Sequence, residues 1–412
     1  MQGIFQKENT DKALKYGIYR HLPTYEKIIR NLVSFYNKNI TNVPNLRFAE
    51  YLDTWNNQRI DSNSLIVDGT HQTPNYITEG VKFVSVENIK NPYESNKFIS
   101  KEDYNSYKIK PRIGDILMTR ITAGIIGETY VINKTEDLGY YVSLALIRPD
   151  NKYINSNFLS YYINSPYFKH ELDKRIIKVA FPRKINLNDI GECKISIPSL
   201  IEQEKIATLL NKIDRRIETQ SKIINAYESL INSISSSLFE KIGARTKLSE
   251  ICVINKGQQI NGVDLLENGL YYMMNGGTSP SGYLNIYNKE ANTISISEGG
   301  NSCGYVQFNL KKFWSGGHCY TIENLKPTIK NKFLYYYLKF NESKIMNLRI
   351  GTGLPNIQKR DLEQFMVTIP NIENQIQITN ILDCIETKLN KEKKLLTLYQ
   401  SQKNYLLKNM FV

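Results

Sequence analysis

The stretch ISIPSLIEQEKIATLL, at Ile195–Leu210, shows how the chain is organised because a closely similar stretch, VTIPNIENQIQITNIL, recurs at Val367–Leu382. Superimposing Ile197 on Ile369 gives an offset of 172 residues, which then holds without a gap to the end of the sequence. The same offset extends upstream at least as far as Ile185. The repeated unit is therefore a whole domain together with the helix that follows it. The chain is predicted to be a tandem duplication with an approximate two-fold axis.

Both copies predict a long α-helix whose apolar residues recur in alternating steps of four and three, the pattern of a coiled-coil seam. The first helix, from Ile201 to Phe239, is about 39 residues and roughly 58 Å long at about 1.5 Å per residue. Because a domain separates the helices, we expect an antiparallel intramolecular coiled coil; packing against helices of a partner is the alternative. Polar Gln220 and Glu392 fill matching slots, which we interpret as a register device. The seam positions are Ile206, Leu210, Ile213, Ile217, Gln220, Ile224 and Tyr227 in the first helix and Ile378, Leu382, Ile385, Leu389, Glu392, Leu396 and Tyr399 in the second.

Composition favours a polyanionic partner. The chain has 412 residues, a formal net charge of +13 and a pI near 9.2, which indicate nucleic acid first and an anionic membrane surface second. A general abundance of lysine is the alternative explanation. Five scattered cysteines without a C-x-x-C pair argue against a disulfide framework and a structural zinc site, and are typical of a reducing cytoplasm. No apolar run approaches the roughly eighteen residues that a membrane span requires, so we expect a soluble, cytoplasmic protein.

The segments before the two helices, Asn45–Ile197 and Thr246–Ile369, contain short apolar runs separated by Gly, Asn, Pro and Ser. This pattern predicts mostly antiparallel β domains. Each segment also contains one helical run, INSNFLSYYINSP in the first and IKNKFLYYYLKFN in the second, and we interpret these runs as equivalent elements. The predicted fold class is α+β, with two mostly antiparallel β domains that carry small helices, separated by the two long helices.

Gly-rich loops supply the candidate binding residues, because such loops approach phosphates closely and offer donors and acceptors to base edges. Ordinary β-turn chemistry is the alternative explanation. The loops of the first domain are DGTHQTPNY, TRITAGIIG and VAFPRKI, and those of the second are NGGTSPSGY, SEGGNSCGY, WSGGHCY and RIGTGLPNI. Phosphate contacts are expected from Arg183, Lys184 and Arg349. Base-edge contacts are expected from loop residues such as Thr70, His71, Gln72, Arg120, Ser279, Ser281 and Asn301. The remaining candidates are Thr73, Thr122, Asn275, Tyr283, Ser302, His318 and Thr352.

The sequence contains no recognisable catalytic motif. It has no G-x-x-x-x-G-K-[ST] phosphate loop and no G-x-S-x-G elbow. The double-proline motif of amino-methyltransferases is also missing, since NPYE at Asn91 and SPYF at Ser165 each have one proline. The four histidines show no metal-ligand spacing. We therefore predict no catalytic residues and no metal site, and interpret the chain as a binding protein that is not an enzyme.

The tandem segments IPSLIEQEKIATLLNKID and IPNIENQIQITNILDCIE, preceded by NDI or RDL, resemble the conserved regions of the specificity subunit of type I restriction-modification systems. DGTHQTPNY followed by GVKFVSVENI resembles one variant of the target recognition domains of that family. NGGTSPSGY followed by ISEGGNSCGY and FWSGGHCY resembles another. The resemblance covers the chain from about Asn42 to its C-terminus.

The resemblance implies that each target recognition domain reads one half of a bipartite, asymmetric double-stranded DNA site. The helices, through the seam residues above, would dock two methyltransferase subunits and set the gap between half-sites, and two restriction subunits can join the complex. No cofactor would be bound by this chain. S-adenosylmethionine and adenine N6 methylation would belong to the methyltransferase, and ATP and Mg to the restriction partner. The competing function is a non-enzymatic two-domain coiled-coil scaffold that binds protein or glycan.

The repeat and the resemblance together give the expected domain boundaries. They are residues 42–197 for target recognition domain 1, 198–243 for spacer helix 1, 244–369 for target recognition domain 2 and 370–412 for spacer helix 2. Family members usually start near the equivalent of VPNLRF, so residues 1–41 form an N-terminal extension. We expect a short amphipathic helix at Tyr25–Tyr36. The extension is either an extra docking element or a consequence of where the start site is placed.

Overall fold

The computed structural model describes residues 43–239, 243–351 and 353–412, so the expectations for residues 1–41 lie outside the described residues. The chain divides into two compact units. The first comprises the described residues through Glu218 together with Thr397–Val412, and the second comprises Thr219–Leu396. Each unit therefore contains one β domain and a part of both long helices.

The secondary structure is as follows in chain order. The strands are β1 Asn56–Arg59, β2 Ser64–Asp68, β3 Val81–Val84, β4 Phe98–Ile99, β5 Ile116–Thr119, β6 Ile121–Thr122, β7 Thr129–Val131, β8 Leu138–Tyr140, β9 Leu144–Pro149, β10 Arg183–Lys184, β11 Lys194–Ile197, β12 Ala244–Lys247, β13 Val253–Lys256, β14 Tyr271–Met274, β15 Gly282–Leu284, β16 Thr293–Ser297, β17 Val306–Asn309, β18 Trp314–Ser315, β19 Cys319–Glu323 and β20 Met366–Ile369. The helices are α1 Lys101–Asn105, α2 Ser156–Asn164, α3 Pro166–Asp173, α4 Leu187–Gly191, α5 Leu200–Phe239, α6 Leu248–Ile251, α7 Asn331–Phe340, α8 Glu342–Met346, α9 Lys359–Glu363 and α10 Ile372–Asn409. Short 3-10 helices lie at Ile60–Ser62, Val86–Asn88, Pro92–Glu94 and Gly262–Asp264.

Both β domains have the same sheet topology although their sequences differ. The four-stranded sheet has the order β2-β9-β5-β7 in the first unit and β13-β19-β16-β17 in the second, and both are antiparallel. The three-stranded sheets, β4-β3-β8 and β15-β14-β18, each contain one parallel pair. Antiparallel ladders β1-β11 and β12-β20 close each domain. The α+β fold with two mostly antiparallel β domains and small helices is confirmed.

The central strands of the first domain, β5 and β9, are mostly apolar because both of their faces are covered. Ile116 and Met118 of β5 belong to the core that includes α2, whereas Leu117 points to the opposite face. Ala145 and Leu146 of β9 divide between the same two cores. This alternation follows from the two-residue period of a strand, and it divides the side chains of each central strand between the two cores.

A buried glutamine fastens each β domain to the long helix that follows it. Gln203, in the first turn of α5, accepts a hydrogen bond from the backbone N–H of Asn155 at 2.9 Å. Its Nε2 donates to the carbonyls of Tyr153 at 3.0 Å and Pro198 at 2.9 Å. Gln375 occupies the equivalent position in α10, accepting from one backbone N–H at 2.8 Å and donating to two carbonyls at 3.0 and 2.9 Å. Each domain and its helix are thus joined by the same three hydrogen bonds.

The end of each long helix packs into an aromatic cluster. In the first unit, the ring of Phe411, just after α10, lies 5.4 Å from that of Tyr162 in α2. In the second unit, the ring of Phe239, which ends α5, lies 5.3 Å from that of Tyr337 in α7. Phe239 and Phe411 are equivalent in the repeat. Each unit is therefore completed by the C-terminal end of a long helix, and in the first unit that end is distant in sequence from the β domain it packs against.

We expect Gln203→Ala to lower the free energy of unfolding by about 2–4 kcal/mol, because it leaves a buried N–H and two carbonyls without their partner. Chemical denaturation of the full chain measures this loss. Gln377→Ala is the matched control, since Gln377 lies on α10 and is exposed, and it should change stability by less than about 0.5 kcal/mol. Equal losses in the two variants would contradict the role of Gln203.

Candidate nucleic-acid interface

The candidate loops of the first domain meet at one end of its four-stranded sheet, where β2 and β5 end. Arg120 Nη1 lies 3.0 Å from Asp68 Oδ2, and His71 Nε2 lies 3.1 Å from the same oxygen. Arg120 also donates to the carbonyls of Val142 at 2.8 Å and Ile185 at 3.3 Å. Its side chain is only 9% exposed, and burial lowers its pKa, an effect that the Asp68 carboxylate opposes. Arg120 therefore holds the loops together from inside the domain.

Residues 69–76, 120–127 and 179–185 form what we call the first loop cluster. Arg183 of β10 pairs with Thr122 of β6, and Arg183 Nη2 donates to the carbonyl of Gly124 at 2.8 Å. Gly69 allows the close approach of its loop, because a Cβ there would lie 2.0 Å from the carbonyl oxygen of Tyr140. His71, Gln72, Thr73, Arg183 and Lys184 are exposed, whereas Thr70 and Thr122 are half-buried.

Glu298 connects the candidate loops of the second domain. Its backbone N–H donates to the carbonyl of His318 at 2.9 Å, and its carbonyl accepts from the N–H of Ile357 at 2.9 Å. The N–H of His318 in turn donates to Asn275 Oδ1 at 2.9 Å. Residues 275–283, 298–305, 316–318, 349–351 and 353–357, which we call the second loop cluster, thus meet at the equivalent end of the second sheet.

The predicted residues of the second loop cluster differ in how much of their surface is exposed. Thr352 lies outside the described residues. Asn275 and Ser302 are half-buried. The exposed candidates are Ser279, Ser281, Tyr283, Asn301, His318 and Arg349. Contact of any of these residues with DNA stays a prediction.

The two clusters are built over equivalent ion pairs of opposite polarity. Arg120 and Glu298 are equivalent, since each directly follows the second strand from the sheet edge and bonds the backbone of Ile185 or Ile357. Arg120 pairs with Asp68 at the end of β2, whereas Glu298 Oε1 pairs with Lys256 at the end of β13, 2.6 Å away. Sequence reasoning missed Asp68, Lys256 and Glu298. The available signal was a charged residue at the end of an edge strand, Asp68 or Lys256, or directly after a central strand, Glu298.

The seam residues of both helices face inward within the units to which they belong. In the first unit, Asp214 of α5 forms an ion pair with Lys403 of α10 at 2.6 Å; in the second, Glu228 pairs with Lys393 at 2.6 Å. Within the first unit, Arg216 of α5 also lies 5.9 Å from the ring of Tyr399, so residue numbers rise along α5 while those of the partners fall along α10 and the pairing is antiparallel, as predicted. The buried seam residues are Ile206, Leu210, Ile213, Gln220, Ile224, Ile378, Leu382 and Leu389, and the half-buried ones are Ile217, Tyr227, Ile385, Glu392, Leu396 and Tyr399.

The two polar seam residues contact each other. Gln220 Nε2 donates to Glu392 Oε2 at 2.5 Å and to the Glu392 carbonyl at 3.3 Å. The two residues are 172 positions apart, so they are equivalent in the repeat. Any other register would place a polar side chain against apolar neighbours, which supports their interpretation as a register device.

The chain matches the family model of the type I restriction modification DNA specificity domain twice, at residues 57–229 and 244–398. The chain belongs to this family. It is therefore a specificity subunit of a type I restriction-modification system, as the sequence resemblance implied.

Individual relatives agree with this assignment. Over 337 residues the chain is 27% identical to a protein of Methanocaldococcus jannaschii named as the MjaX type I restriction enzyme specificity subunit, covering 72% of this chain and 76% of that protein. It is 35% identical over 144 residues to a type I specificity subunit of Mycoplasma pneumoniae, covering 34% and 38%. The crystal structure of an S subunit from M. genitalium superimposes with a TM-score of 0.66 at 19% identity, covering 90% of this chain and 99% of that one. The last comparison shows a shared fold.

Residues 43–239, 243–351 and 353–412 contain neither a metal-ligand cluster nor a membrane-spanning helix. No group of three or more His, Cys, Asp or Glu side chains there is placed to hold a metal ion. None of the helices in the same ranges is long and apolar enough to cross a membrane.

We expect Gln220→Leu alone to destabilise the specificity subunit, because Glu392 then keeps its charge in the seam without its partner. Replacing both residues with Leu should instead raise the free energy of unfolding by about 1–3 kcal/mol above the wild type, since no polar group remains to be desolvated. Denaturant titration measures both. Gln400→Leu, at an exposed position of α10, is the control and should be near neutral. A double variant no more stable than the single one would refute the assignment.

Proposed function

We propose that this chain gives a type I restriction-modification complex its DNA sequence specificity, with the first loop cluster reading one half-site and the second cluster reading the other. The observation that carries the proposal is that two β domains with the same order of strands in their main sheets present loops at equivalent ends, and these loops carry different residues. A pair of modules on one scaffold suits a bipartite target whose halves differ. The net charge of +13 favours binding to the phosphate backbone.

The exposed loop residues supply the contacts in this proposal. His71, Gln72 and Thr73 of the first cluster, and Asn301 and His318 of the second, present hydrogen-bonding groups that suit base edges. The remaining exposed or half-buried candidates are assigned to the same surfaces. Arg183, Lys184 and Arg349 are placed on phosphates, whose contacts set register without reading sequence.

Arg120 takes a different role in the proposal from the base contact expected from sequence. Its guanidinium is engaged with the Asp68 carboxylate and two carbonyls. We therefore assign it to positioning the loop that carries His71.

The helices dock the methyltransferase in this proposal. Since the seam is used for pairing within the chain, partner contacts fall to apolar side chains that point outward from α5 and α10. Exposed examples are Ile201, Leu230, Ile376, Ile381 and Tyr405. Two methyltransferase subunits would dock there and two restriction subunits would join them. The specificity subunit itself is proposed to be non-catalytic and to act in the cytoplasm, where the DNA is, while S-adenosylmethionine, ATP and Mg are bound by the partners.

Selection from randomised duplexes tests the DNA-reading role. The full chain, in complex with its methyltransferase partner, should enrich a bipartite motif with an unspecified gap, and the same motif should be methylated on adenine N6. Enrichment should persist as salt is raised, because base contacts discriminate whereas phosphate contacts weaken uniformly. Equal affinity for random and selected duplexes at every salt concentration would refute the proposal. Binding to protein or glycan without DNA preference would support the scaffold alternative.

A second experiment tests whether the helix pair sets the gap. One heptad is inserted into both α5 and α10 beside the Gln220–Glu392 pair, so that the seam stays in register. Seven residues add about 10.5 Å of helix, which corresponds to about three base pairs at about 3.4 Å each. The selected half-sites should stay the same while the gap lengthens by about that amount. An unchanged gap would show that the helices do not act as the spacer.

A further inference from the structure

The ion pair under the second loop cluster leaves one carboxylate oxygen without a hydrogen bond. Glu298 is buried, with 8% of its surface exposed. Its Oε1 is contacted by Lys256 Nζ at 2.6 Å and by the Tyr320 hydroxyl at 3.0 Å. Its Oε2 is also buried but has no hydrogen-bond partner. A buried carboxylate oxygen without a hydrogen-bond donor is uncommon, and it indicates that a nearby group can donate to it.

His318 is the group that Oε2 faces. The distance from His318 Nδ1 to Glu298 Oε2 is 3.5 Å, slightly too long for a good hydrogen bond and short enough to close by a small ring rotation. The His318 side chain is 63% exposed, so the opposite edge of its ring is open to solvent. The imidazole thus lies between a buried acceptor and the surface of the cluster.

This placement fixes the hydrogen-bonding character of the exposed ring nitrogen. A carboxylate only accepts, so the Nδ1 that faces it carries the hydrogen, and Nε2 of the neutral ring is left as an acceptor. The structure therefore favours an outward-facing acceptor at His318.

We infer that Glu298 positions His318 to read an exocyclic amino group, on adenine or cytosine, in the half-site of the second cluster. This inference rests on the proposed function. In the major groove, adenine N6 and cytosine N4 are the donors, whereas guanine and thymine present acceptors at their O6, N7 and O4 atoms. An acceptor at Nε2 therefore accepts A or C and rejects G or T at the base edge it meets.

The first cluster does not contain the same device. Arg120 occupies the position equivalent to Glu298, and Ser143, whose carbonyl accepts from Arg120 N, is equivalent to His318. Its histidine, His71, shares one carboxylate oxygen with Arg120. Reversal of the ion pair thus gives the two clusters different recognition chemistry on one scaffold.

The test is Glu298→Gln, assayed by duplex selection with the full chain in complex with its methyltransferase partner at a pH of about 8, where an ordinary imidazole is neutral. Lys256 requires an acceptor at the position of Oε1, so the amide oxygen stays there and the amide NH₂ faces His318. The ring must then accept at Nδ1 and donate from Nε2. The preference at one base of the second half-site should change from A or C to G or T, by on the order of tenfold.

His318→Ala keeps the inference testable if the buried Glu298 variant folds poorly, because His318 lies in an exposed loop. It should leave all four bases equally enriched at that same position. Glu290→Gln is the matched control, an exposed carboxylate in the same unit that pairs with Lys312, and it should give the wild-type motif. The half-site of the first cluster should be identical in every variant and serves as an internal reference.

The outcomes separate the two proposals. A wild-type complex that selects a bipartite motif, together with a His318→Ala variant that selects the same motif, overturns this inference and leaves the proposed function standing. A wild-type complex with no sequence preference overturns the proposed function itself. Loss of preference throughout both half-sites in His318→Ala would indicate a structural role and also overturn the inference.

Discussion

The buried amides of Gln203 and Gln375 fasten each β domain to the long helix that follows it. Each amide forms hydrogen bonds with three backbone groups, two in the β domain and one in the proline that precedes the long helix. A buried polar group without a partner costs about 1–3 kcal/mol, so arrangements that break the set are disfavoured. The direction in which each helix leaves its domain is therefore fixed. The far ends of the helices, through Phe239 and Phe411, then complete the aromatic cores.

The helix pair has one register because its seam contains one polar contact. Apolar side chains alone would tolerate a shift by one heptad, since every heptad looks alike to its neighbours. The hydrogen bond from Gln220 to Glu392 is satisfied in one alignment. The two residues are equivalent in the repeat, so duplication of a single helix supplied both halves of the contact. Any function of the helices as a spacer would depend on this register.

The ion pairs under the two loop clusters show how one scaffold can present different chemistry. Asp68–Arg120 and Lys256–Glu298 are both neutral pairs at equivalent strand ends, so either polarity stabilises the sheet. The groups above them do not experience the same environment, because one pair places a guanidinium and the other a carboxylate beneath the loops. Reversing a charge pair can therefore change recognition while the fold is retained.

The tandem duplication, the two long helices and the α+β class could be predicted from the amino-acid sequence, and antiparallel pairing was the expected arrangement of the helices. These properties follow from the spacing of apolar residues and from the constant 172-residue offset of the repeat, and both can be read directly from the sequence. The sequence also located the loops, since glycine-rich turns are local signals. It did not determine which loop side chains face outward. Arg120 looked like a base-reading residue, and only the tertiary structure brought Val142 and Ile185 to its guanidinium. Glu298 attracted no attention in sequence, because its importance comes from Lys256 and His318, which are distant along the chain and adjacent only after folding.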